Sequence, residues 1–352
     1  MKISHNENLI KKLIDKNDTS NQFEILKKSY EQIDYAWSQK IDKENISVTK
    51  IQNIILTGMG GSAVSGEVVS NLFQNKLKYP FSVNRNYNLP AFANENTLLI
   101  ASSYSGNTEE TISAIKDGLQ KKCQIYVITT GGEIEKIAMN NNLPIVKLLQ
   151  GYQPRYALWI NLISALKLFQ ELNLISNISN LIEKVKQLIK SKADEYSSEK
   201  NIALDYAIQI LGFIPIIYAV DGTTSVVASR FKAQLNENSK IHSYYNLYPE
   251  LNHNEIIGWE TQNEKRLNSK VICITDKSYH PKVKKRIIIT NDLINKANTE
   301  VIQIKSNESE FEIRLFDLIY LTDWISYYLA IIRNYDPSEI EYINFLKKKL
   351  SE

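Results

Sequence analysis

The stretch "LLIASSYSGNTEETISAIKDGL", residues 98–119, runs from an apolar segment into a cluster of hydroxyls and then into a helical pattern. Ile112, Ile115 and Leu119 are spaced for one helical face. A strand that stops where a helix starts aims backbone N–H groups and the positive end of the helix dipole at one spot. Ser102, Ser103, Ser105 and Thr108 crowd that spot and complete an anion cradle. Gly106 allows the sharp turn out of the strand, and Asn107 is placed to cap a helix whose third residue is Glu110, a capping-box arrangement. One hydroxyl in such a place ordinarily caps or turns the chain. Ser103, Ser105 and Thr108, joined by Ser62 from a neighbouring loop, exceed what a cap requires and point to phosphate.

Outward from this segment, apolar runs predict strands at 53–58, 81–84, 97–102, 124–129 and 144–148, separated by amphipathic stretches. A helical region follows from about Arg155 to Ala193. A second alternating set begins at 212–222 and continues through 270–276 and 299–305. Strands alternating with helices imply parallel strands in an α/β layer structure. A chain of 352 residues exceeds what one core usually serves. The charged, Ser-rich segment "IEKVKQLIKSKADEYSSEKN" sets the boundary near residues 190–200. The expected domains are 1–195, with leading and linker helices, and 196–352, with a helical tail. "IILTGMGGSAVSGEVVSNLF" from Ile54 and "IIYAVDGTTSVVASRFKAQL" from Ile216 superpose without a gap, pairing Gly60 with Gly222 and Ser62 with Thr224. Any two βα units share this pattern, so the echo fits duplication without proving it.

The loop "TGMGGSA" has the glycine spacing of a dinucleotide turn, but that reading needs an acidic residue roughly 20 residues on. The strand "FSVNRNYNLP" offers Asn84 and Arg85 there instead. With no Gly-Lys-Ser/Thr sequence, a P-loop is unsupported as well. The 42 basic and 39 acidic residues are spread along the chain, which argues against nucleic acid and for a small-molecule partner. Cys123 and Cys273 lie in apolar runs and read as reduced core thiols. His5, His242, His253, His280 and the cysteines lack paired zinc spacings, so no metal and no cofactor are expected. The opening residues lack a signal-peptide pattern and no run approaches 18 apolar residues, which predicts a cytoplasmic protein with no membrane partner.

"GMGGSA", "SYSGNTEET", "GYQPRYAL", "FKAQLNENSK" and "PELNHNEIIGW", in this order, resemble the bifunctional phosphoglucose/phosphomannose isomerases of the sugar isomerase (SIS) superfamily. The resemblance runs from about residue 50 to the C-terminus. It implies two SIS domains, each a parallel β-sheet flanked by helices in a three-layer αβα sandwich of the α/β class, and a homodimer with active sites at the subunit interface, acting on a sugar phosphate. Gly61, Ser62, Ser103, Ser105 and Thr108 match the family's substrate phosphate contacts. Arg155, Glu237, His253 and a C-terminal lysine, matched to Lys347, correspond to its catalytic residues. Ser338 lies near a place where relatives carry a threonine linked to mannose use.

Aldose–ketose isomerisation needs a proton moved between C2 and C1, a ring opened and an enediolate stabilised. Glu237 suits the first role because a desolvated carboxylate can be tuned toward neutral pH, although a glutamate at a helix end is by itself more often solvated surface. His253, in a polar loop, can give and take a proton in ring opening. Arg155, at a helix start with an exposed head, is placed either as a surface arginine or to stabilise the enediolate. In the tail, Ile340, Ile343 and Leu350 define one helical face with Lys347 on it, where its stem could equally snorkel. The competing class is a sugar-phosphate-binding regulator, which needs the cradle but not the convergence of Glu237, His253 and Lys347; an SIS isomerase of another sugar phosphate is the lesser alternative.

Overall fold

The computed structural model describes residues 7–43, 45–264 and 267–350; His5 lies outside them. Helices α1 (Glu7–Asn17), α2 (Gln22–Lys27) and α3 (Ser29–Ser38) open the chain. Then come β1 (Asn53–Thr57), α4 (Gly60–Phe73), β2 (Phe81–Asn84), β3 (Thr97–Ser103), α5 (Glu109–Gln120), β4 (Gln124–Thr129), α6 (Gly132–Asn140) and β5 (Ile145–Lys147). Helices α7 (Leu158–Glu171), α8 (Ser179–Tyr196) and α9 (Ile202–Ile210) lead to β6 (Ile214–Val220), α10 (Ser225–Glu237), β7 (Tyr244–Tyr248), β8 (Ser269–Thr275), α11 (Pro281–Lys296), β9 (Val301–Lys305), α12 (Phe311–Ile332) and α13 (Glu341–Leu350).

The chain forms two compact units, one spanning Lys28–Gln187 and the other joining Leu188–Glu352 with Met1–Lys27. The sequence groups residues 1–195; in the structure the segment up to Lys27 packs in the second unit, and the change of unit falls inside α8. Three contacts fix the leading helices there. The Tyr327 hydroxyl donates to Asp18 at 2.9 Å, the Tyr320 hydroxyl donates to the Leu26 carbonyl at 2.7 Å, and the rings of Phe23 and Trp324 meet edge to face at 5.3 Å.

The first sheet has the order β2-β1-β3-β4-β5 and the second β7-β6-β8-β9, every pairing parallel. Central strands covered on both faces read as unbroken apolar runs. Every residue of β3 is buried, and so are all but the first of β4 and β6. β7 was absent from the strands expected from sequence: its Tyr-Tyr-Asn-Leu-Tyr edge carries exposed Tyr244 and Tyr245 and shows no apolar run.

Although no unbroken run in the sequence approaches 18 apolar residues, helix α12 is long and apolar enough to cross a membrane. Its 22 residues meet that description by length and composition, yet its most apolar window is entirely buried in the protein. A helix apolar all round belongs in a core. Its charges are matched there: Arg230 holds Asp323 through Nε at 2.9 Å and a terminal nitrogen at 2.8 Å, and Asp317 accepts from Tyr196 at 2.8 Å and Ser306 at 2.6 Å. Those charges interrupt the sequence and hide the helix from a search for continuous apolar runs.

Candidate functional site

In the first unit the strand order reverses between β1 and β3, the place where open parallel sheets bind ligands. Both following helices start there without a side-chain cap: α4, 14 residues long, after Met59, and α5, 12 residues long, after Thr108. Their first N–H groups and dipole ends are therefore available to an anion. Gly60 takes a φ of +50° to start α4, and at Gly61 a Cβ would lie 2.9 Å from the Pro154 carbonyl oxygen, so only glycine lets these backbones meet.

Ser103 and Thr108 share a hydroxyl hydrogen bond of 2.9 Å, and the Ser103 oxygen also accepts from the Gly106 amide at 3.1 Å. Ser105, exposed, accepts from the Asn107 amide at 3.3 Å. The expected capping box is not formed. Thr108 is the N-cap residue of α5, and the Asn107 amide oxygen accepts from the Glu133 backbone at the start of α6, 3.0 Å away. Asn107 thus ties two loops together and leaves its own helix end open. Sequence reasoning missed Asn161 of α7, whose amide oxygen takes the Ser102 hydroxyl at 3.3 Å and reaches Ser62 at 3.5 Å. A buried Asn in an otherwise apolar helix is the signal that could have found it, since such a group is retained only with partners.

Arg155 lies in a short 3-10 turn, Pro154–Tyr156, and its expected exposed head is corrected: only 4% of the residue is accessible. The guanidinium carbon sits 5.4 Å from the centre of the Tyr156 ring, a cation–π stack. Gln32 of α3 fixes this turn, donating to the Tyr156 carbonyl at 2.9 Å and accepting from the Ile160 amide at 3.2 Å. Gly61, Ser62, Ser103, Ser105, Thr108 and Arg155 all belong to this unit.

Glu237, His253 and Lys347 belong to the other. Glu237 is the last residue of α10 and is half-buried. Its neighbours anchor it: Asn236 donates to the Ile241 carbonyl at 2.7 Å, and Asn238 donates to the Ser326 hydroxyl at 3.0 Å. His253 ends the 3-10 turn Glu250–His253 and is exposed. The turn is pinned on either side of it. Asn252 donates to Thr290 at 2.8 Å, while the Glu255 carboxylate accepts from the Tyr218 hydroxyl of β6 at 2.5 Å and from the Asn246 amide of β7. Trp259 donates its indole N–H to the same Tyr218 oxygen at 3.0 Å. Glu255, Tyr218 and Trp259 were not singled out from sequence. A tyrosine inside a buried strand needs a partner for its hydroxyl, and that was the available signal.

Lys347 lies on α13, where no residue is buried. The expectation that Ile343 and Leu350 form a docked face carrying Lys347 is therefore corrected within this chain: Ile343 is 37% exposed and Leu350 60%. Ser338 is buried, and its hydroxyl has no hydrogen-bond partner among the described residues.

The four strands of the second sheet repeat the order of β2-β1-β3-β4 in the first, but not its hydroxyl cradle. Thr224, which pairs with Ser62 in the sequence echo, shares a hydroxyl hydrogen bond with Tyr279 from the loop after β8. Tyr279 also donates to the Ile274 carbonyl at 3.2 Å, and both residues are buried. Because the Thr224 hydroxyl also accepts from the Val220 amide at 3.2 Å, this pair bridges the ends of β6 and β8.

Residues 47–141 match the SIS domain and residues 199–350 the bacterial phospho-glucose isomerase C-terminal SIS domain. A bifunctional phosphoglucose/phosphomannose isomerase of Caldicellulosiruptor bescii is 39% identical over 88% of this chain and 92% of its own. Its counterpart in Aquifex aeolicus is 31% identical over 87% and 92%. A putative phosphosugar isomerase from Clostridium difficile 630 shares the fold, with a TM-score of 0.70 at 18% identity, covering 93% of this chain and 96% of that one. With two parallel sheets flanked by helices, a hydroxyl cradle in the first and relatives matched along most of their length, the chain belongs to the family of bifunctional phosphoglucose/phosphomannose isomerases.

Proposed function

We propose that this protein interconverts fructose 6-phosphate with glucose 6-phosphate and with mannose 6-phosphate by proton transfer through an enediol. The observation that carries the reading is the pair of uncapped helix ends meeting Ser62, Ser103, Ser105 and Thr108 where the strand order reverses. Such an arrangement favours a phosphate dianion through N–H groups, hydroxyls and two dipoles. Gly61 lets the backbone approach the same group. Glu237 shuttles the proton between C2 and C1, and because a planar enediol can be reprotonated on either face at C2, both aldose products are accessible to one base. His253 opens the ring, Arg155 supplies positive charge to the enediolate, and Lys347 adds a further cation. The family resemblance supports a cytoplasmic homodimer with active sites at the subunit interface, needing no metal or cofactor.

A coupled assay on fructose 6-phosphate, with glucose and mannose 6-phosphates measured separately in excess chelator, tests the reading. Turnover of both products supports it. Complete loss in chelator, restored by zinc, overturns the mechanism. Saturable binding of glucose 6-phosphate in heavy water, without turnover or deuterium uptake at C2, makes the protein a sugar-phosphate-binding regulator instead.

A further inference from the structure

A cleft of about 630 Å³ lies in the second unit at the C-terminal ends of β8 and β9, bounded by α11. This volume suits a metabolite-sized ligand, and parallel sheets place ligands at this end of their strands. Three lysines from three segments line it: Lys277 after β8, Lys284 on α11 and Lys305 closing β9. Two are held in place by backbone carbonyls, Lys277 donating to Glu308 at 2.9 Å and Lys284 to Lys277 at 2.6 Å, which leaves further N–H donors on each ammonium. The Lys305 ammonium has no partner among the described residues.

The acidic groups on the lining do not balance these charges. Asp276 is taken up by Arg314, whose Nε and terminal nitrogen reach it at 2.6 and 2.9 Å, leaving Asp292 as the remaining carboxylate. Asn291 also lines the cleft, and its amide oxygen is buried without a hydrogen-bond partner among the described residues. A buried acceptor in that state gains from a hydroxyl or a water brought by a ligand.

We propose that this cleft is a second anion site, separate from the cradle of the first sheet, which takes a small, multiply charged phosphorylated metabolite. The lysines engage the anionic end. Tyr279 bridges the neighbouring ends of β6 and β8, so ligand at this sheet is directed to the β8–β9 side.

Inorganic pyrophosphate is the probe, its binding followed by titration calorimetry on the whole protein. Wild-type protein should bind it, and the Lys277→Gln/Lys305→Gln variant should bind it about tenfold or more weakly, as loss of charge-assisted hydrogen bonds implies. Lys277→Arg/Lys305→Arg should retain binding, and the KM for fructose 6-phosphate should stay within about twofold in both variants, because these residues take no part in the isomerase site. Equal pyrophosphate affinity in wild type and the Gln variant, or no binding by wild type at millimolar concentration, overturns the proposal. Retained affinity in the Gln variant would place the bound probe at the cradle alone.

Discussion

Gly106 and Gly131 meet back to back: a Cβ on Gly106 would lie 1.7 Å from the Gly131 carbonyl oxygen, and Gly106 has a φ of +70°. No side chain fits there without moving the loop that carries Ser103, Ser105 and Thr108. Gly106→Ala should therefore raise the KM for sugar phosphate well over tenfold and lower the melting temperature, since a strained φ alone costs about 1–3 kcal/mol. Steady-state kinetics with a thermal melt checks this; an unchanged KM would remove the loop from substrate binding.

Glu237→Gln keeps size and hydrogen-bonding capacity but removes the proposed base. The expected loss in kcat is about 10²–10⁴, with KM within a few-fold. His253→Ala should be worst on closed-ring sugar. Mixing the two inactive variants should restore some activity if the residues of one site come from different chains, and verified subunit exchange without recovery would reject that arrangement.

Glu255 should act on catalysis through position. Its carboxylate accepts from both Tyr218 and Asn246, and Gln in its place offers one oxygen instead of two, leaving a donor unmatched at about 1–3 kcal/mol. Glu255→Gln and Tyr218→Phe should each lower kcat by loosening the His253 turn while KM holds. A change confined to thermal stability would show a purely structural brace.

Burial alone would raise the Asp276 carboxyl, but Arg314 and the Ser278 hydroxyl and amide hold it below the ordinary carboxylate range. A depressed folded pKa stabilises fully above the unfolded value of about 3.9, and the contribution is lost as pH falls through the lower folded value. Arg314→Met strands a buried charge and should cost about 3–5 kcal/mol at neutral pH. The deficit should narrow toward pH 4, where burial protonates the unpaired carboxyl. Denaturant unfolding at the two pH values reads the difference.

Burial pushes the Cys123 thiol up to about 11 and that of Cys273 to about 12, so both are protonated at neutral pH. Neither is disulfide-bonded. Alkylation by iodoacetamide at pH 7.5 should follow global unfolding, and rapid labelling of native protein would contradict that.

The five strands of the first sheet and the hydroxyl cradle were legible because buried parallel strands leave unbroken apolar runs and because Ser103, Gly106 and Thr108 lie close together in the sequence. What was hidden depends on tertiary partners. Asn107 bonds to α6 and not to its own helix, Arg155 is buried by a turn that Gln32 fixes, and the Glu255 brace joins residues 37 apart in the chain. Periodicity cannot register such pairings. It also misplaced the tail, because an amphipathic pattern on α13 states that a face is apolar and not what covers it.

The Thr224–Tyr279 hydrogen bond gives the two halves different histories to answer to. Where the proposed substrate enters between β1 and β3 of the first sheet, the matching place between β6 and β8 of the second carries a resident phenol. On that proposal, substitutions around Ser62 are judged by what they do to turnover, whereas those around Thr224 are judged by whether the interior still closes. One architecture, used twice in a single chain, is thus free to change at two unrelated rates.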